Sequence, residues 1–224
     1  MRLLMKTLSV ALTVAIPLTV FCLGANIATR MPDVYQYQFK ATDSLKNIDL
    51  NKNDDEMGEF ISDFMMGKEA EFQLALDDDD RPQMIFNEKE MAAAAQARKD
   101  MNVVGIIGFI SLILMVVAFV MLKRYGLEKE IRKRFKWGAI IYVGLLIAYL
   151  GGFFAAAKTG HTLPDMLGYV PQEEDILPQI ITAELSRGLL LSVAAVSTVM
   201  MAILWYIMYK ITEPKKIFSR SYYG

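Results

Sequence analysis

Two places in the chain gather groups able to move a proton or stabilise charge. His161 is the only histidine, and Asp165, Glu173, Glu174 and Asp175 follow it closely. An imidazole titrates near neutral pH and is the usual general base, so His161, oriented by Asp175 or a neighbouring acid, is a candidate catalytic group. A lone histidine in a surface loop also has an ordinary solvated role. The second place is the stretch Glu88 to Asp100, where Glu90, Arg98, Lys99 and Asp100 share one run of good helix formers. Other familiar chemistries lack their residues. There is no glycine-rich phosphate loop, HExxH, GxSxG or CxxC. One histidine and one cysteine, Cys22, on separate segments do not make an ordinary metal site, and no cofactor is expected.

These groups must be positioned by membrane helices. Thr7 to Ala28, Met101 to Leu122, Gly138 to Ala157 and Gly188 to Tyr209 are each about long enough to cross a bilayer core, and none contains an acid or base. The expected fold is therefore all-α, with four transmembrane helices and a partly helical extracytoplasmic segment between the first two. Spans without an ionisable group argue against an ion-coupled transporter. Met1 to Lys6 is basic and precedes an apolar run, as in a signal peptide, but no small-x-small site follows and the run can span, which favours an uncleaved anchor. A lipidation signal would place a small residue before Cys22, where Phe21 stands, so Cys22 reads as a buried thiol.

Charge gives the orientation. Thr29 to Asp100 holds 9 Lys and Arg against 17 Asp and Glu, whereas Lys123 to Trp137 holds 7 against 2. The positive-inside bias places the second loop and both termini in the cytoplasm. The resulting layout is 1–28 as a cytoplasmic start and first span, 29–100 as an acidic extracytoplasmic segment, and 101–224 as three spans with a cytoplasmic loop at 123–137, an outer loop at 158–187 and a cytoplasmic tail at 210–224. The near-neutral total, 24 basic against 25 acidic residues, offers no field for nucleic acid. Anionic lipid suits the basic loop.

The outer segment is thin in apolar residues for an independent core. Met57, Phe60, Ile61, Phe64 and Met65 recur at helical spacing, Asn53 and Glu56 form a capping-box signature, and Gly67 ends the pattern. This helix suits either the membrane interface or the lid of a small core. Asp77 to Asp80 lacks the glycine turn of a calcium loop and reads as a solvated turn. Asn87 and Glu90 repeat the capping signature, and nothing breaks the helix between Glu88 and the second span. Pro178 is expected to start the helix that becomes the fourth span. Gly105, Gly108, Gly144, Gly151 and Gly152 offer surfaces for close helix contact.

The order of several features resembles the bacterial Lit family, the lipoprotein intramolecular transacylases. They are an anchor followed by Tyr35-Gln-Tyr37-Gln-Phe39, a helix ending near Phe64 to Gly67, Phe86-Asn-Glu-Lys-Glu90 leading into the second span, and Ile176-Leu-Pro178 before the last. The resemblance implies a four-span protein of the bacterial plasma membrane with an outward-facing site. It also implies transfer of an acyl chain from the diacylglyceryl group of a lipoprotein's terminal cysteine to that cysteine's amino group, without a cofactor. Tyr35, Tyr37 and Arg98 then become binding candidates. The chain departs from the family pattern E-x-x-H-M-x-D-V: after Glu90, Ala93 stands at the histidine position and Gln96 at the aspartate position. Of the second family histidine, only Phe153-Phe154 and the displaced His161 remain as relics. Losing a general base removes about two to four orders of magnitude in rate. The expectation is thus a non-catalytic relative that binds a membrane lipid, a lipoprotein or another membrane protein. The alternatives are an acyltransferase using His161 with Glu90 or Asp175, and a subunit of a larger membrane complex.

Overall fold

A computed structural model describes residues 2–45, 48, 52–76, 83–158, 169–172 and 175–213. His161, Asp165, Glu173, Glu174, Asp77 to Asp80 and the charged tail beyond Glu213 lie outside the described residues. The described residues contain seven helices, in order α1 (Arg2–Ala28), α2 (Pro32–Thr42), α3 (Asp54–Met66), α4 (Glu88–Arg124), α5 (Glu128–Lys158), α6 (Leu177–Ile180) and α7 (Ala183–Thr212). Between α3 and α4, Ala75–Leu76 and Gln83–Met84 make a minimal antiparallel pair, Ala75 opposite Met84.

Four helices, α1, α4, α5 and α7, are long and apolar enough to cross a membrane. The chain is a multi-pass membrane protein. α1 is the central helix: half of its most apolar window is buried, against 17% for α5, and α4, α5 and α7 all pack on it. Leu12, Ile16 and Val20 of α1 meet Met115, Ala118 and Leu122 of α4, Ile131 and Tyr142 of α5, and Met201 and Met208 of α7 in the core of the bundle. Tyr142 adds a hydroxyl contact to Ser197 at 3.0 Å and Thr198 at 3.1 Å, which ties α5 to α7 where no water competes.

Glycines set the closest approaches. Gly24 of α1 faces the backbone and Cβ of Ser197 on α7, and Gly105 and Gly108 of α4 face Asn26, Leu23 and Cys22 on α1. Gly144, Gly151 and Gly152 behave otherwise than expected. A Cβ built on any of them meets nothing within 4 Å among the described residues, and all three positions are exposed on α5.

α4 has 37 residues, about 55 Å of helix at 1.5 Å per residue, against a hydrocarbon layer of about 30 Å. It must project beyond the bilayer, and a cap is built on the projecting end. The capping boxes at Asn53 and Asn87 form as expected, with Gly67 left-handed at φ 82° closing α3. The apolar face of α3 points into protein. Met57, Ile61, Phe64 and Met65 join Phe39 of α2, Phe72, Phe86, Leu177, Ile180 and Leu185 in a second core. That core depends on residues of α6 and α7, so the cap and the bundle are one packed unit. Pro178 does not open the fourth span. It lies in the one-turn helix α6, which ends at Ile181, and α7 starts afresh with Thr182 as its cap, the hydroxyl accepting from the Leu185 N–H at 3.2 Å.

Candidate functional site

The outer end of α4 begins in a knot of buried acids. Asn87 Oδ1 accepts from the Lys89 and Glu90 N–H groups, as an N-cap does, and Glu90 Oε2 accepts from the Asn87 N–H at 2.8 Å. Glu90 is only 1% exposed. Its other oxygen accepts from the N–H groups of Ile176 at 2.7 Å and Leu177 at 2.6 Å. The carboxylate therefore meets three backbone donors, which offset its desolvation. The Asn87 amide donates to Asp175 Oδ1 at 2.8 Å, and Asp175 Oδ2 accepts from the Tyr169 hydroxyl at 2.5 Å and the Gln172 N–H at 2.6 Å. The Tyr169 bond, followed by that from Gln172, holds the Asp175 carboxyl below the usual carboxylate range. Burial, reinforced by the carboxylate, pushes the Tyr169 phenol up. Glu90 and Asp175 are thus brought together through Asn87: one oxygen of each holds the turn before α6 against the start of α4, and the other accepts bonds within its own segment.

Arg98, two turns further along α4, faces the end of α3. It donates to the carbonyls of Glu69 at 2.8 Å, Ala70 at 3.3 Å and Phe64 at 3.4 Å, and its guanidinium lies 4.3 Å from the centre of the Phe64 ring. A planar multi-donor group is suited to collecting helix-end carbonyls while stacking on a ring. Tyr35 is buried and donates to the Thr29 carbonyl at 2.7 Å; Tyr37 is 70% exposed on the same helix.

Beneath this frame is a cavity of about 470 Å³, within the usual range for small-molecule sites. The cap contributes Ile61, Phe64, Met65 and Phe72, α6 contributes Leu177, and α1, α5 and α7 complete the deeper wall. On α4 the wall begins with Ala93, Ala94 and Ala97, whose spacing puts three small side chains on one face and leaves open the space that larger residues would fill, and continues through Asp100, Met101 and Val104. Among the described residues Asp100 is the only Asp, Glu, Lys or Arg in the lining, and Cys22 is also part of it. Glu90, Asp175, Arg98 and Tyr37 do not line the cavity; Tyr35 does. Sequence reasoning missed this space, although the alanine run from Ala92 to Ala95 with Ala97 was its visible signal.

No family model and no curated protein matches the sequence. Among solved structures, the membrane integral lipoprotein intramolecular transacylase Lit from Bacillus cereus superposes with a TM-score of 0.64, covering 94% of this chain and 98% of that one at 11% identity. The chain has the Lit fold. Variants of the same protein with one histidine changed to arginine or to alanine superpose at a TM-score of 0.62, with 12% and 13% identity. Each covers 93% of this chain, and 93% and 94% of the variant chains respectively is matched. At these identities the likeness describes backbone architecture, and the chemistry must be argued from this chain's own side chains. On its Lit-like frame, the position where the motif histidine was expected is Ala93, a methyl group in an apolar wall.

Proposed function

We propose that this protein is a non-catalytic Lit-like membrane protein that holds one acyl chain of a membrane lipid or lipoprotein in its cavity, on the outer face of a bacterial plasma membrane. The observation that carries the reading is the cavity itself: about 470 Å³, almost wholly apolar, with Ala93 in its wall. At about 30 Å³ for a water-sized group, it accommodates on the order of fifteen methylenes. Burying each methylene is worth about 0.8 kcal/mol, so an apolar tail is the ligand this lining favours. Of the candidate catalytic acids, Glu90 and Asp175 support binding over catalysis, because both are occupied by structural hydrogen bonds. The outward orientation rests on the basic loop and the acidic cap segment.

The competing reading is an acyltransferase with His161, Glu90 and Asp175 in altered roles, and the Lit fold over most of the chain is what favours it. One experiment separates the two. In cells that make only diacyl lipoproteins, mass spectrometry of a reporter lipoprotein's terminal peptide is expected to be unchanged when this protein is expressed, inserted and stable. Native mass spectrometry of the purified protein is expected to show a retained acyl lipid, and Ala93→Phe is expected to lower its occupancy at least about tenfold, by displacing two or more methylenes. Transfer of one acyl chain to the reporter's amino group overturns the non-catalytic reading. Absence of any retained lipid overturns the binding reading.

A further inference from the structure

The cavity has a direction. Its wall runs along α4 from Ala93 to Val104, along α1 from Thr29 to Phe21 and along α7 from Leu189 to Val193. The α4 wall alone covers about 16 Å of helix rise, so the space is a slot leading from the cap into the bundle. Among the described residues α5 contributes Tyr149 to the lining, at the bundle end. Its ring meets Phe21 edge-on, with centroids 5.0 Å apart and planes at 81°, the geometry aromatic pairs prefer. The Tyr149 hydroxyl donates to the Leu190 carbonyl on α7 at 3.1 Å, a bond that has no water to replace it there. Phe21 stands on a helix held from two sides, since Gly108 of α4 abuts Cys22 and Leu23 while Gly24 abuts Ser197 of α7.

We propose that the Phe21 and Tyr149 rings form the floor of this slot and set the longest acyl chain it accepts, an inference that rests on the acyl-chain reading above. Each methylene seated above the floor tightens binding from water about fourfold. The next one must displace a ring held by its partner and a hydrogen bond, or fold back on the chain, so the gain stops at a defined length.

The test uses the full chain in a non-ionic detergent, incubated with an equimolar mixture of saturated fatty acids from laurate to stearate and read by native mass spectrometry. Comparing variants in the same mixture cancels partition into the micelle. Because each added methylene favours the micelle as well as the slot, the bound fraction of the wild type is expected to hold level or rise gently with chain length and then break. Phe21→Ala and Tyr149→Ala are expected to move the break to longer chains, Phe21→Trp to shorter ones, and Tyr149→Phe, which keeps the ring, to leave it in place. If the wild type selects a chain length and the break stays put in whichever of the ring-changing variants fold, the floor is elsewhere and this proposal falls while the acyl-chain reading stands. If the wild type retains no fatty acid, the acyl-chain reading falls and takes the floor with it.

Discussion

Glu90 and Asp175 are acids that a sequence reader sees as chemistry and the fold uses as fasteners. Glu90→Gln keeps size but puts an amide N–H₂ where an oxygen now accepts backbone N–H groups, and it removes the charge that strengthens the remaining bonds. The expected cost is about 2–3 kcal/mol, seen as a lower thermal midpoint in detergent; an unchanged midpoint would show that these backbone groups have other acceptors. Asp175 gives a prediction in pH. Its carboxyl titrates below its ordinary value of 3.8 when folded, so its contribution is fully present above that value and is lost as pH falls through the folded pKa. Asp175→Asn should therefore be less stable than wild type at neutral pH, with the gap closing below pH 3.8. A gap that stays constant into acid would refute the assignment. The roles of Asn53 and Asn87 as caps were legible, because each cap and its glutamate are three residues apart. The bonds from Glu90 to Ile176 and Leu177 were not, since no local pattern announces a partner 86 or 87 residues away.

Helix contacts in this bundle depend on which glycines face another helix. In a lipid environment there is no hydrophobic drive to bring helices together, so close backbone approach supplies much of the association. Gly24 makes such an approach: a Cβ there would sit 2.8 Å from Ser197 Cβ and 2.9 Å from its Cα. Gly24→Val must push α1 from α7, at an expected cost of about 1–3 kcal/mol, whereas Gly144→Val should fall within about 0.5 kcal/mol of wild type. Equal losses in denaturation midpoint for the two variants would mean that the α1–α7 contact is not set by Gly24. Sequence marked Gly105 and Gly108 of α4 and Gly144, Gly151 and Gly152 of α5 alike as contact surfaces, and of these only the α4 pair meets another helix among the described residues. A glycine's face within a helix is decided by the position of the other helices, which periodicity does not reveal when the span is apolar all round. The break between α6 and α7 was hidden for a related reason. Pro178 is acceptable at a helix start, and no residue pattern marks the stop at Ile181 before the Thr182 cap.

The whole molecule is a bundle with a cap at one end, and its function turns on the side of the membrane that the cap occupies. Length and composition revealed the four spans; the cavity arises only when cap and bundle share α4, α6 and α7. Orientation rests on charge. The α4–α5 connection carries 7 basic residues against 2 acidic ones over Lys123 to Trp137, and one of those acids, Glu130, is paired with Arg134 at 2.7 Å. Translocating that loop is strongly disfavoured, while the acidic segment under the cap carries no such bias. With Cys22 changed to alanine, the chain has no other cysteine, so single reporters can be placed cleanly at exposed sites. Glu59→Cys on α3 is expected to react with a membrane-impermeant maleimide in intact cells, and Lys129→Cys at the start of α5 only after lysis. The reverse pattern would place the cap in the cytoplasm. The slot would then draw its acyl chain from the inner leaflet, and lipoproteins anchored in the outer leaflet would be out of its reach.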